Sequence, residues 1–581
     1  MQPFDYTSLM AVCADLQANW LPARLEQIYQ RDRHTLSLCL RTLSQRGWLT
    51  LSWHPLAARV CLDEPPPRTP DTFTFSQQLR HQIQGLALIQ MEAIAPWERV
   101  LDLQFGRRPG EPAQWHLYLE IMGKYSNVIL TTPERQIVTV ARQVSSEQSS
   151  VRPLLTGQPY EFPPALTDAA PSLTESQAHW RNRLTLIPGS LRKTLQKNYR
   201  GLSSALLLSM LHTAGIEPDR ATSDLRDEEW DRLYACWQTW LRSLDQRTFQ
   251  PGWMANGGYT VMGWNLVKPE PSVQTLIRCY YANQLNRQEF RQLHHHLSQR
   301  VATLLAKLYA KAQDFRDRLQ QSDHADLYKH QADVLMAYLH KWQPGMQSIT
   351  LPDFISEMPL TIRLDPEKNA VQNAQALYKR HQKLKRSRLA LEPLLAEVQA
   401  EIDYLEQVQV AIAQTSDYST VEDLRSLEEI RDELIQQKYL DDPDQRFRDR
   451  PSESTHFRRY QTPSGQEVWI GRNNHQNDQL TFRIANEYDL WFHSQEIPGS
   501  HVLLRMQPGH TPDRADLQYA ADLAALYSRA HQSEQVPVIY TEPKNVYKPK
   551  GAKPGTVIYK QERVIWAQPQ RGKTYLPLAT E

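Results

Sequence analysis

Two long segments of the chain repeat apolar side chains at spacings that alternate between three and four residues. The first segment contains Leu297, Val301, Leu304, Leu308, Ala312, Phe315 and Leu319, and the second contains Leu391, Leu395, Val398, Ile402, Leu405 and Ile412. This heptad spacing is typical of coiled coils. Residues from about 328 to 365 lack the pattern, so we expect the two segments to fold back on each other as an antiparallel arm. Pro393 lies inside the second segment and predicts a kink or a late helix start there.

The residues before the arm divide into a strand-rich part and a helical part. Apolar side chains alternate with period two at Leu101, Leu103 and Phe105, which predicts half-buried antiparallel strands. A proline-rich stretch at 159–171 ends this part, and glycine turns in 180–245 predict a helix-hairpin-helix unit. Such units can present backbone N–H groups to phosphates, and small helical linker domains share the pattern, so nucleic-acid binding by this unit stays open.

The residues after the arm form a further small α+β domain in our prediction. We expect strands at Glu467–Gly471, Leu480–Ile484 and Val536–Tyr540, and a helix at Asp513–Ala530. The chain of 581 residues is therefore predicted to be a multidomain α+β protein. The expected divisions are 1–170 (sheet-rich), 171–265 (helix-hairpin-helix), 266–440 (arm), 441–456 (linker) and 457–581 (C-terminal domain).

Composition excludes several classes of protein. With 66 Lys and Arg against 65 Asp and Glu, the chain is no polycation, and any nucleic-acid binding must use local patches. The five cysteines form no CxxC pair, so neither a zinc site nor a disulfide framework is supported, and no cofactor or metal is expected. We expect a cytoplasmic protein without a membrane partner, because no leader pattern or apolar run of about 20 residues occurs.

Four sites invite a chemical interpretation. Arg99 at a predicted strand end could form a structural ion pair or hold a phosphate. The turn from Gly123 to Asn127 combines a cation, a hydroxyl and an amide, although an ordinary hairpin has the same composition. The histidines at 294–296 cannot share a metal ion, because adjacent helical residues point in different directions. Ser500 and His501 are neighbours on a strand, which argues against a nucleophile-base pair. No phosphate-binding loop or GxGxxG motif is present.

The C-terminal domain carries the strongest basic patch. Its aromatic residues are Tyr540, Tyr547, Tyr559 and Trp566. The cations interleaved with them are Lys544, Lys548, Lys550, Lys553, Lys560, Arg563, Arg571 and Lys573. Cations that neutralise phosphates beside aromatic rings that stack on bases are typical of an RNA-binding surface. A solubilising basic loop is the alternative.

Several sequence blocks resemble a known family. Residues 489–493 (DLWFH), 497–502 (IPGSHV), 471–473, 477–478 and 540–555 resemble the C-terminal NFACT-R domain. Residues 4–5, 24–30, 120–127 (EIMGKYSN) and 152–160 resemble the NFACT-N domain, and residues 373–383 resemble the start of the family's second coiled-coil segment. The resemblance covers nearly the whole chain. It identifies the chain as similar to the RqcH/NEMF family, whose bacterial members have also been called fibronectin-binding protein A homologues.

The resemblance implies a role in ribosome-associated quality control. Similar proteins bind large ribosomal subunits that carry an obstructed peptidyl-tRNA, recruit alanyl-tRNA, and support C-terminal alanine tailing without mRNA. Peptidyl transfer belongs to the ribosome, so the resemblance implies a tRNA- and ribosomal-RNA-binding factor, not an enzyme and not a DNA-binding protein.

The resemblance also suggests site residues. An Asp near the start of the family's N-terminal domain and an Asp-Arg pair match Asp5 and Glu98-Arg99, where Glu replaces Asp and moves the carboxylate by one methylene. The candidate tRNA contacts are Asp5, Glu98, Arg99, Lys124 and Asn127. The candidate RNA or ribosome contacts are Arg472, His493, His501, Lys544, Lys548, Lys550 and Lys553.

Two alternatives come from other classes of protein. A sheet-rich domain followed by a helix-hairpin-helix unit resembles formamidopyrimidine-type DNA glycosylases. Those enzymes have an N-terminal proline followed by glutamate, and usually a zinc finger. In this chain Gln2 precedes Pro3, and no set of zinc-binding cysteines is present. A fibronectin-binding surface adhesin is suggested by the older family name, but no secretion signal or wall anchor is recognisable.

Overall fold

A computed structural model describes residues 1–67, 70–149, 152–164, 168–355, 358–441 and 456–576. The chain divides into two compact units, Met1–Leu285 and Asn286–Glu581. Apart from its end residues Asp441 and His456, the predicted linker lies outside the described residues. Among the helices of the described ranges, none is long and apolar enough to cross a membrane.

The first unit begins with an antiparallel sheet of nine strands in the order β4-β3-β2-β1-β5-β6-β7-β8-β9. The elements are α1 (Tyr6–Trp20), β1 (Ala23–Asp32), β2 (Thr35–Arg41), β3 (Arg46–Ser52), β4 (Arg59–Asp63), α2 (Thr74–Ile83), β5 (Ala87–Ala93), β6 (Val100–Gly106), β7 (Trp115–Glu120), β8 (Asn127–Thr131) and β9 (Ile137–Val140). Leu101, Leu103 and Phe105 of β6 are fully buried in the main core with α1 and α2, so they share one face of a strand as predicted. Val100 and Asp102 are buried as well, so β6 is covered on both faces and is not the half-buried strand that was predicted. Val100 packs with Tyr118 in a smaller core on the other face.

The second part of the first unit is helical, as predicted. Its elements are α3 (Gln177–Thr185), α4 (Leu191–Asn198), α5 (Ser204–Thr213), α6 (Asp227–Gln246), β10 (Gly252–Met254), β11 (Tyr259–Thr260) and β12 (Leu266–Pro269). The turn between α4 and α5 passes through Gly201, whose φ of +81° is a conformation that favours glycine. A separate core containing Trp180, Trp230, Trp237 and Trp240 holds these helices together.

The arm is an antiparallel helical pair, which confirms the heptad prediction. Its elements are α7 (Val273–Ser322), α8 (Ala325–Ala337), β13 (Ser348–Pro352), β14 (Pro359–Arg363), α9 (Ala370–Ala413) and α10 (Val421–Gln436). The contacts run in opposite directions along α7 and α9: Tyr309 meets Glu406, Arg316 meets Gln399, and Asp323 meets Arg388. The core between α7, α9 and α10 includes Leu297, Val301, Ile402, Leu405 and Leu427.

Of the two outcomes predicted for Pro393, a kink or a late helix start, the late start is wrong and the kink stays a prediction. Helix α9 begins at Ala370, well before Pro393, and contains that proline, so the late start at Pro393 does not occur. The physical reason lies at the N-terminus, where Asn369 and Gln372 form a reciprocal capping box that satisfies the first backbone N–H groups.

The C-terminal domain has a six-stranded antiparallel sheet in the order β15-β16-β18-β17-β19-β22. Its elements are β15 (Arg458–Gln461), β16 (Glu467–Ile470), α11 (Asn474–Gln479), β17 (Leu490–Ser494), β18 (Val502–Leu504), α12 (Arg514–Leu526), β19 (Val536–Thr541), β20 (Val546–Tyr547), β21 (Ile558–Tyr559), β22 (Arg563–Ala567) and α13 (Pro569–Lys573). Helix α12 covers one face through the alanines of a core with Val468 and Val538. Leu480–Ile484, predicted as a strand, is a π-helical continuation of α11. A short apolar run is compatible with either a strand or a buried helix. In this helix Leu480 is buried against the face of the sheet opposite α12.

Candidate RNA-binding sites

A cleft of about 550 Å³ separates the sheet domain from the helical hairpin of the first unit. The sheet domain contributes Asp5, Trp97, Arg99, Ile121, Met122 and Gly123, and the hairpin contributes Gln196, Arg200, Gly201, Leu202 and Ser203. Asp168 is exposed in the same lining. The fold therefore places Arg99, the leading candidate for a tRNA contact, in the same cleft as the turn of the predicted helix-hairpin-helix unit.

Two guanidinium groups in the cleft have no protein partner. Arg99 makes no side-chain hydrogen bond or ion pair to any residue of the described ranges, so the structural ion pair considered for it is absent there. Arg200 on the hairpin is also unpartnered within those ranges, and its Nε atom is buried without a hydrogen bond. Two uncompensated guanidinium groups can donate hydrogen bonds to phosphate oxygens in bidentate fashion. Arg200 is not among the candidates predicted from the sequence. The only sequence feature that could have indicated it is its position next to Gly201, the glycine of the turn.

Asp5 holds the walls of the cleft together. Its Oδ1 accepts hydrogen bonds from the backbone N–H and the hydroxyl of Ser8, both at 2.8 Å, which makes it the N-cap of α1. Its Oδ2 accepts from the hydroxyl of Ser203 at 2.5 Å, at the N-terminus of α5. The carboxylate therefore bridges the first turns of two helices, one from each wall.

Trp97 fills the space between the walls. Its backbone φ is +69°, and its ring packs between Tyr6 and Trp240 at centroid distances of 4.9 and 5.3 Å. Gly201 lies so close that a Cβ there would be 2.5 Å from the indole. This packing places the backbone of the neighbouring Glu98-Arg99 pair. The Oε1 atom of Glu98 is buried without a hydrogen bond.

Lys124 and Asn127 lie in different environments. Lys124 is exposed on the turn between β7 and β8, with its ammonium 4.9 Å from the centre of the Tyr125 ring. Asn127 is buried, donates to the carbonyl of Arg142 at 2.7 Å, and accepts from the backbone N–H of Arg142 at 3.0 Å. Of this pair, Lys124 is therefore accessible to a ligand, whereas Asn127 ties β8 to the following segment.

In the C-terminal domain, His493 and His501 are packed against each other at 5.4 Å. His501 is 1% exposed, and burial lowers its pKa well below the ordinary value. Burial also lowers the pKa of His493 to about 4. The Nδ1 atom of His501 lies 2.7 Å from the hydroxyl of Thr481. Both imidazoles are thus neutral at pH 7, and His501 is inaccessible to RNA in this conformation.

Most of the candidate cations of this domain are engaged within the protein. Arg472 pairs with Asp423 of α10 at 2.8 Å and is largely buried. Lys544 pairs with Glu542, and Lys548 pairs with Asp478. Lys553 donates to the hydroxyl of Tyr439. Only Lys550 among the four candidate lysines is exposed without an ion pair in the described part of the chain.

Other residues of the patch point outwards. Tyr547 and Ile558 pair across the β20–β21 hairpin and are 48% and 53% exposed. The ammonium of Lys560 lies 5.6 Å from the centre of the Tyr547 ring, and Arg563 is exposed at the start of β22. An exposed aromatic ring beside cations is suited to a stacked base and its phosphate.

Residues 5–453 match the family model for NFACT N-terminal and middle domains, and residues 456–561 match that for the NFACT protein RNA binding domain. The chain is 31% identical to the Rqc2 homolog RqcH of Streptococcus suis, over 98% of this chain and 99% of that protein. It is 29% identical to the Rqc2 homolog RqcH of Bacillus subtilis, over 97% of this chain and 98% of that protein. A solved C-terminal structure of the fibronectin/fibrinogen-binding protein of S. suis is 30% identical, covers 49% of this chain and 98% of its own, and has a TM-score of 0.37.

The two family models together match residues 5–453 and 456–561, so this sheet domain, helical arm and C-terminal domain are those of an NFACT protein. The matches extend over nearly the whole chain. It belongs to the RqcH/NEMF family of NFACT proteins, as the sequence blocks indicated.

Proposed function

We propose that this protein is a ribosome-associated quality control factor. It binds large ribosomal subunits that carry an obstructed peptidyl-tRNA and recruits a charged tRNA, alanyl-tRNA by family resemblance, for C-terminal tailing without mRNA. Peptidyl transfer is left to the ribosome. Family membership and the RNA-binding domain support the role, and it requires no catalytic group from this chain.

The observation that carries the proposal is the pair of free guanidinium groups in the first unit. Arg99 and Arg200 line one cleft from opposite walls, and neither has a protein partner in the described ranges. A phosphate of the tRNA backbone would supply the missing anion for both. Lys124 on the adjacent turn adds a third cation, which is exposed, near the same cleft, whose lining includes Gly123.

The arm supports the ribosomal part of the proposal. Between Asn369 and Leu391 the sequence contains no Asp or Glu but includes Lys379, Lys383 and Arg386. These three cations are spaced by four and three residues, so they share one face of α9, and they are exposed without an ion pair in the described part of the chain. A cationic stripe on a long helix is suited to the phosphate backbone of ribosomal RNA.

The test is tRNA binding by variants of the full chain. We expect Arg99→Ala and Arg200→Ala each to weaken tRNA binding by roughly tenfold, as loss of a charge-assisted hydrogen bond does, and to leave large-subunit binding intact. Arg192→Ala is the matched control, because Arg192 is also on the hairpin but pairs with Asp219 at 3.0 Å. Wild-type affinity in both cleft variants would remove the cleft from the tRNA interface.

The adhesin alternative has a direct test. Saturable binding to immobilised fibronectin at micromolar protein concentrations would support it, and we expect none.

A further inference from the structure

The loop from Lys548 to Gly555, the lysine loop, is folded onto the arm within the second unit. We propose that this loop fixes the RNA-binding domain on helices α9 and α10, with Lys553 and Gly555 as positioning residues and not RNA contacts. The proposal deepens the proposed function, since it concerns how that domain is presented to the ribosome.

Both ends of the lysine loop are held by one carboxylate. The ammonium of Lys548 pairs with Oδ2 of Asp478, and the backbone N–H of Gly555 donates to Oδ1 of Asp478 at 3.1 Å. The loop is thereby closed on α11, the helix that contains Asp478. A lysine held in this way must break an ion pair before it can neutralise a phosphate.

Lys553, in the middle of the loop, reaches the arm itself. Its ammonium lies 4.3 Å from the ring centre of Tyr439 and 4.8 Å from that of Tyr404, and it donates to the Tyr439 hydroxyl. The two rings stack on each other at 5.8 Å. Cation–π contacts strengthen as the cation is desolvated, and burial lowers the pKa of Lys553. Tyr404 belongs to α9, and Tyr439 follows α10.

Gly555 shows how closely the loop approaches the arm. Its φ is +78°, and a Cβ would lie 2.6 Å from Oδ1 of Asn474 and 3.0 Å from Oε1 of Gln407, a residue of α9. Asn474 in turn donates to Glu433 of α10 at 3.2 Å. Only glycine allows the backbone to pass between the domain and the arm at this point.

The rest of this contact is also polar and directional. Arg472 pairs with Asp423 at 2.8 Å, Asn473 donates to Glu429 at 2.6 Å, and Arg529 pairs with Glu406 at 2.9 Å. Such contacts define one orientation of the domain, because each requires a particular geometry. The lysine loop lies on the same side of the domain as α11, so it completes this contact.

The experiment compares Lys553→Met with Lys550→Met in the full chain. Lys550 is the matched control, because it lies in the same loop but is exposed and unpaired in the described part of the chain. Three quantities are measured: hydrogen exchange of the amides at 404–439 and 474–478, affinity for a short single-stranded RNA with its salt dependence, and affinity for purified large subunits.

We expect Lys553→Met to increase hydrogen exchange in both segments and to weaken large-subunit binding by about tenfold, with oligonucleotide affinity within about twofold of wild type. Lys553→Arg should restore much of the subunit affinity, because arginine keeps the cation–π contact. Lys550→Met should leave hydrogen exchange unchanged. Gly555→Val should increase exchange in the same segments as Lys553→Met.

Two results would overturn the proposal. One is unchanged hydrogen exchange in Lys553→Met. The other is a loss of oligonucleotide affinity in Lys553→Met, with a salt slope reduced by about one, which identifies Lys553 as a phosphate contact. If the wild-type chain binds no large subunits, the proposed function fails, and the exchange data still decide the proposal on the loop.

Discussion

Glu433 is a carboxyl group buried where the arm meets the RNA-binding domain. Burial raises its pKa to about 7, although hydrogen bonds from Tyr404 at 2.7 Å and Asn474 at 3.2 Å favour the charged form, and Asp478 opposes it. Both hydrogen bonds reach the Oε1 atom, and Oε2 is buried without a hydrogen-bond partner among the residues that the structure describes. A neutral side chain of the same shape would keep both contacts.

Glu433 therefore predicts a pH dependence of stability. Its pKa is higher in the folded state than the ordinary value of 4.5, so its contribution is fully present below pH 4.5 and is lost as the pH rises through about 7. We expect Glu433→Gln to be more stable than wild type at pH 8 and to flatten the decline between pH 4.5 and 7. Urea unfolding at several pH values measures this effect. If the free energy of unfolding depends on pH in the same way in both proteins, ionisation of Glu433 does not destabilise the folded state.

Tyr547 is an aromatic residue of the basic patch that combines exposure with a neighbouring cation. Its ring is 48% exposed and lies beside Lys560. We expect Tyr547→Ala to weaken single-stranded RNA binding by about 1–3 kcal/mol, and Tyr547→Phe to retain most of the affinity, because stacking needs only the ring. Fluorescence anisotropy with a labelled oligonucleotide measures both effects.

Tyr309→Ala is the control, since Tyr309 is 42% exposed but is hydrogen-bonded to Glu406 on the arm. If Tyr547→Ala loses no more affinity than this control, Tyr547 is no stacking residue.

At the scale of elements, the α4–α5 turn depends on Gly201. An alanine there would adopt the unfavourable φ of +81° and would place Cβ 2.5 Å from Trp97. We expect Gly201→Ala to destabilise the first unit by about 2–5 kcal/mol, the sum of about 1–2 for the backbone and about 1–3 for overpacking. The midpoint of thermal unfolding, followed by tryptophan fluorescence, measures this loss. Gly215→Ala is the matched control, with φ of +70° and its nearest neighbouring atom 4.0 Å away. Equal losses in the two variants would show that the Trp97 contact costs nothing.

The cationic stripe of α9 makes a prediction about the arm. Replacement of Lys379, Lys383 and Arg386 by Gln should weaken large-subunit binding and lower its salt slope by about two to three, since up to three phosphate contacts are lost. Sedimentation with purified subunits at several salt concentrations measures the slope. Arg388→Gln is the control, because Arg388 is already paired with Asp323 and Glu392. An unchanged slope in the triple variant would mean that this face of the arm does not contact RNA.

The elements that the sequence predicted best are those in which an apolar repeat is sustained. The heptads of α7 and α9 extend over many residues, so the pattern determines the structure there. The five residues Leu480–Ile484 were too few, and the cap at Asn369 was overlooked beside Pro393. Site residues were harder to predict, because the sequence does not show which cations form ion pairs or hydrogen bonds within the protein. Lys548 and Lys553 look like RNA contacts in the sequence, yet Asp478 and Tyr439, the residues that engage them, are distant along the chain.

At the scale of the whole molecule, the chain is nearly neutral, so its cations can act on RNA only where they cluster. Three groups of unpaired cations in the described ranges lie in the Arg99–Arg200 cleft, on one face of α9, and on the outer side of the β20–β21 hairpin. Each unit therefore carries its own cationic site, and binding to an extended RNA assembly would use several of them together. This distribution agrees with a factor that recognises a particle instead of one short RNA.

The central claim is that the protein holds tRNA on large ribosomal subunits. Its most direct test is affinity purification of the tagged chain from its own cell lysate, beside Arg99→Ala, with sequencing of bound RNA and sizing of ribosomal particles. We expect the wild-type chain to recover free large subunits with one enriched tRNA species, and Arg99→Ala to recover subunits without that tRNA. Recovery of neither subunits nor tRNA with the wild-type chain, or equal tRNA recovery with Arg99→Ala, would contradict it.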